Sequence, residues 1–93
     1  MATVTLFRND FTWEIPPQGP NGIIYFWLEN PLFSQGAVTV TAYPTYAPQR
    51  LLEVIQLATR GDYAGRSFLD IVVRNNGPIT VAGFYVHTSV VSP

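Results

Sequence analysis

The feature that most constrains this chain is its punctuation. Short apolar runs, most of them alternating with polar residues, are cut about every 8–15 residues by clusters of Pro, Gly, Asn and Asp. A period of two places successive side chains on opposite faces of a pleated strand, whereas a helix needs a period near 3.6. Repeated short runs with turn residues between them read as an all-β, antiparallel sandwich or barrel. Strands are expected at 2–7, with Val4 and Leu6 on one face and Thr3 and Thr5 on the other, and at 11–15, with Phe11, Trp13 and Ile15 together. Asn9-Asp10 is the expected turn between them. Further strands are expected at 23–29, apolar on both faces, at 37–43, with Val38, Val40 and Ala42 together, and at 68–74, with Leu69, Ile71 and Val73 inward. The last is expected at 79–91, with Ala82, Phe84, Val86 and Val90 on the inner face. Prolines forbid ladder bonding, so 16–22 and 44–50 are loops.

Segment 51–59 has two readings. Leu51, Val54, Ile55 and Ala58 fit one helical face, with Pro48 at a first helical position and Gly61 as a C-terminal cap. Its β-branched residues and its surroundings favour a strand. The count is then about seven strands in one domain spanning 1–93, the number found in immunoglobulin-like sandwiches. The expected core is Val4, Leu6, Phe11, Trp13, Phe26, Val38, Val40, Leu69, Ile71, Val73, Phe84 and Val86.

Asn75-Asn76-Gly77-Pro78 carries a hairpin signal, because Asn and Gly tolerate positive φ. The stretch Leu69-Asp70-Ile71-Val72-Val73-Arg74 before it, and the apolar run from Ile79 to Val86 after it, resemble a strand, Asn-Gly turn and final strand of bacterial immunoglobulin-like modules of the cell-adhesion-related type. That resemblance implies an immunoglobulin-like sandwich in which 23–29, 68–74 and 79–91 share one sheet. The paired cysteines of antibody domains are absent, since the chain has no cysteine.

Charged residues make up 12 % of the chain, about half the usual share of roughly 25 %. A small domain has much surface to cover, so this skin is uncharged polar or apolar, which points to a face hidden against a partner. Net charge is −1, and the basic residues Arg8, Arg50, Arg60, Arg66 and Arg74 are scattered. No phosphate-tracking surface results, so no nucleic-acid partner is expected. The longest apolar run, 23–28, is too short to span a bilayer, so no membrane insertion is expected. The start lacks a basic region followed by a long apolar one, which leaves a cytoplasmic location as the expectation, or a secreted one if an export signal has been removed.

Chemistry is sparse. A triad would have to use His87 with Asp70 and Ser89, which lack a nucleophile elbow. No catalytic residue is assigned, and no enzyme activity is expected. Asp10, Asp62 and Glu29 could converge at one end of a sandwich, but no loop has regular calcium-ligand spacing. No metal or other cofactor is assigned.

Aromatics carry the functional reading. If Ile24, Phe26 and Leu28 point inward, then Tyr25 and Trp27 point outward, and Tyr85 joins them in one exposed platform. The opposite phase sends Tyr25 and Trp27 into the core. A second candidate surface is the loop end, where 16–22, 44–50 and 75–78 gather and offer Tyr46, Asn21 and Asn76. The function expected is a non-enzymatic binding or assembly module, a homo-oligomer or a partner-bound protein. The alternative is a lectin-like carbohydrate-binding domain using Tyr25, Trp27 and Tyr85, or the loop residues.

Overall fold

A computed structural model describes residues 2–17 and 22–93. Within them lie six strands: β1 (Thr3–Phe11), β2 (Ile23–Glu29), β3 (Ala37–Pro44), β4 (Leu52–Gly61), β5 (Ser67–Asn75) and β6 (Phe84–Ser92). One short 3-10 turn, Pro31–Ser34, precedes β3. The strands form two antiparallel three-stranded sheets, ordered β1–β6–β3 and β2–β5–β4, packed as two layers. The all-β expectation is met, with six strands among the described residues rather than seven. Segment 51–59 belongs to a strand, not a helix.

The central strand of each sheet supplies the core. Leu69, Ile71 and Val73 of β5 face Phe84, Val86 and Val90 of β6, and all are buried. Phe26, Phe33, Ile15 and Val81 complete the buried cluster, with Phe11, Val38 and Val40 packed at its margin. Burying such side chains contributes about 1.5–3 kcal/mol each, which is what holds a chain without disulfides together.

Several expectations fail at β1. No turn forms at Asn9-Asp10; the strand runs on, with Asn9 opposite Val86 and Asp10 opposite Tyr85. Continuous alternation back from the half-buried Phe11 then puts Phe7 and Thr5 on the inner face, opposite Thr88 and Val90. Val4 and Leu6 are thereby turned to the outside, because a shift of one residue in phase moves every side chain to the other face. The strand expected at 11–15 does not form, since Phe11 ends β1; Trp13, expected in the core, follows it and is exposed, stacked on Phe11 at 4.5 Å between centroids.

The expected hairpin at 75–78 is a crossing instead, since β5 and β6 belong to different sheets. Buried Asn75 directs it. Its Nδ2 donates to the carbonyls of Ile15 (3.0 Å) and Ile79 (2.9 Å), and its Oδ1 accepts from the Gly77 N–H (2.9 Å). That side chain mimics a backbone turn and sends the chain across the layers. Gly77 fits there because a Cβ would meet the Gln49 carbonyl oxygen at 3.2 Å. Residues 79–83 form no strand; Val81 alone bridges to Ile15, and Ala82, expected inward, is exposed.

Candidate functional site

The topology separates the three platform rings. Tyr25 and Trp27 do point outward from β2, since Phe26 takes the buried phase, and they are 55 % and 56 % exposed. Tyr85 points outward from β6, in the other sheet, so the expected single platform of Tyr25, Trp27 and Tyr85 does not form. Each layer instead carries its own outer face.

On the β2–β5–β4 face, register sets Trp27 and Ala58 on either side of Asp70, and Glu29 and Arg60 on either side of Phe68. Asp70 is the hub. It accepts from Arg60 through Nε (2.9 Å) and Nη2 (3.0 Å) and from the Tyr25 hydroxyl (2.7 Å). Those bonds, the Arg60 guanidinium first, hold the Asp70 carboxyl below its usual range. The same carboxylate raises the pKa of Tyr25 and of Arg60. Phe68 faces outward yet is only 7 % exposed, because Arg60 lies over its ring at 4.4 Å and Arg66 at 5.5 Å, with Trp27 edge-on at 5.5 Å. Arg66 is tied in turn to Asp62 at 2.6 Å. The Asp62 carboxyl is held low, chiefly by the Arg66 backbone N–H.

The β1–β6–β3 face is built differently. Its cross-strand rows run Val4–Val91–Ala37, Leu6–Ser89–Thr39, Arg8–His87–Thr41 and Asp10–Tyr85–Tyr43. One end is aromatic and charged: Tyr85 lies 5.5 Å from Tyr43 and 5.1 Å from His87, under the Arg8 guanidinium at 4.3 Å, and Arg8 pairs with Asp10. The other end is apolar, with Leu6 75 %, Val4 57 % and Val91 41 % exposed. A shallow depression of about 500 Å³ runs between Leu6, Thr39 and His87.

At the loop end, the described residues make two backbone ties. Asn75 N–H donates to the Gly22 carbonyl (2.8 Å) and Asn76 N–H to that of Leu51 (2.9 Å), which ties 75–78 to the ends of the other two loops. Tyr46 is exposed there, with Arg50 stacked over it at 4.7 Å. The Asn76 amide donates to Glu53. Asn21 lies outside the described residues.

No family model, curated protein or solved structure matches the chain.

The remaining groups do not converge. His87 and Asp70 lie on outer faces of opposite sheets, and Ser89 bonds Thr39, so the three make no triad. Asp10 sits opposite Tyr85, at the Phe11 end of β1 near the 44–50 loop, away from Glu29 and Asp62, so the three carboxylates do not converge. Among the described residues no three His, Asp or Glu side chains are grouped to hold a metal ion, and no helix is long and apolar enough to cross a membrane. The Arg60–Asp70–Phe68 cluster was beyond sequence reading. Alternation alone puts Phe68 and Asp70 outward, but only the register against β4 brings Arg60 to them.

Proposed function

We propose that the chain is a non-enzymatic binding and assembly module that docks onto a second copy through the outer face of its β1–β6–β3 sheet. The observation that supports this is the strip of Val4, Leu6 and Val91, adjacent by register and open to solvent, with its nearest charges, Arg8 and Asp10, spent on each other. Covering the exposed parts of these three side chains contributes roughly 3–4 kcal/mol per protomer. Association costs about 4–15 kcal/mol in lost freedom. The contact is therefore weak and dependent on concentration. An immunoglobulin-like form of the sandwich belongs to the same proposal; its support is the antiparallel two-layer architecture.

Sedimentation velocity across a concentration series tests the reading. The expected result is a rising weight-average mass that Leu6→Glu abolishes while the fold persists. A monomer throughout the series contradicts it.

A further inference from the structure

The β2–β5–β4 face holds an open depression of about 480 Å³, lined by Trp27, Glu29, Arg60, Arg66 and Phe68. It lies on the layer opposite the apolar strip and does not depend on self-association. Its floor is fixed in advance. Phe68 is clamped beneath two guanidiniums, and each guanidinium is held by a carboxylate of its own. Binding there would order few side chains, which lowers the entropic cost of recognition.

The groups left over describe the ligand. Trp27 presents an exposed indole beside the clamp. Arg60 uses Nε and Nη2 on Asp70, and Arg66 uses Nε on Asp62. Arg60 also engages the Tyr25 hydroxyl, whereas among the described residues the Nη groups of Arg66 donate no hydrogen bond and remain open donors. Glu29 accepts no hydrogen bond and makes no ion pair among the described residues, so its carboxylate is an open acceptor. A ligand that satisfies all three needs an apolar face for the indole, hydroxyls that donate to Glu29, and oxygens that accept from arginine.

Charge narrows the choice. Arg60 and Arg66 stand against Asp62, Asp70 and Glu29, so the cluster is net negative. A phosphate, sulfate or carboxylate ligand meets that excess, while a cationic one meets two guanidiniums. We propose that this depression binds a neutral saccharide. The C–H face of a pyranose ring stacks on Trp27, and its hydroxyls donate to Glu29 and accept from Arg66.

Saturation-transfer NMR and titration calorimetry on the intact chain test this, with methyl glycosides of glucose, galactose, mannose and N-acetylglucosamine and their short oligomers as probes. At least one neutral glycoside should bind. Trp27→Ala and Glu29→Gln should each weaken it by about tenfold or more. Both side chains are exposed, and circular dichroism of each variant checks that the fold is kept. Tyr85→Ala and Tyr46→Ala, on the other sheet and at the loop end, should leave binding unchanged. The proposal is overturned if no probe gives saturation transfer, if binding survives Trp27→Ala intact, if Tyr46→Ala abolishes it instead, or if inorganic phosphate displaces the sugar.

Discussion

The two outer faces are made by the same device, a three-stranded antiparallel sheet with a buried central strand, yet they differ in how much of their exposed apolar surface is covered by charged groups. On the β2–β5–β4 face every large ring is tethered: Tyr25 to Asp70, Phe68 beneath Arg60 and Arg66, Trp27 against Phe68. On the β1–β6–β3 face Leu6 and Val4 stand without such cover. Rings fixed by charge make a shaped polar site. Bare aliphatic groups make a surface whose free energy falls when something covers it. A chain with few charges has spent them mostly on one layer.

The contrast breaks if the inner and outer phases are misassigned, and that is where the largest effects lie. Ile71→Ala should lower unfolding free energy by about 3–4 kcal/mol through lost burial and the cavity left behind. Leu6→Ala, on an exposed face, should change it by less than about 0.5 kcal/mol in dilute protein. Urea denaturation of the pair reads both. Equal costs would reverse the phase of β1.

The layers stay on opposite sides only if the chain crosses between them after β5. Asn75→Ala takes the side-chain partner from the Ile79 carbonyl and the Gly77 N–H and leaves the Ile15 carbonyl only the Val81 N–H. A loss of about 2–3 kcal/mol follows, again measured by urea. A change under about 0.5 kcal/mol would remove Asn75 from that role.

Much of this was legible in the chain. Leu69, Ile71 and Val73 alternate without interruption, and their strand, its phase and its burial all follow. Strand β2 was legible in extent but not in phase, because both of its faces are apolar; the buried Phe26 decides it. Strand β4 imitated a helix for a physical reason. Of the apparent helical face Leu51, Val54, Ile55 and Ala58, only Val54 packs on the core; a bulge at Ile55 breaks the period of two and leaves Ala58 on the outer side opposite Asp70. Asn9-Asp10 and Asn75-Asn76-Gly77-Pro78 have turn composition in equal measure. Cross-strand pairing absorbs the first into β1, while a buried side chain turns the second into a crossing. Neither partner can be seen from local sequence. The same holds for the split of Tyr85 from Tyr25 and Trp27, since strand order is a long-range property.

Smaller effects sharpen the contrast. Thr88 Oγ1 is buried facing the core and has no hydrogen-bond partner among the described residues. Thr88→Val keeps the shape and removes the unpaired hydroxyl, so it should stabilise by about 1 kcal/mol. A loss of stability would mean that the hydroxyl has a partner.

Acid should act on the tethered face and spare the bare one. Asp70 and Asp62 have folded-state pKa values below the unfolded carboxylate value of about 3.9. The stability they contribute is full above that pH and is lost as pH falls through the lower folded values. Asp70→Asn should therefore flatten the acid limb of a stability–pH profile and leave the neutral-pH slope alone. An unchanged acid limb would argue that Asp70 is not held by Arg60 and Tyr25.

The most direct test of the docking claim follows amide resonances by heteronuclear NMR as the protein is diluted. Concentration-dependent shifts should cluster at Val4, Leu6, Ser89 and Val91, with Tyr25, Trp27 and Arg60 unmoved. Shifts gathered at Tyr25, Trp27 and Arg60 instead, or no shifts at any concentration, would contradict it.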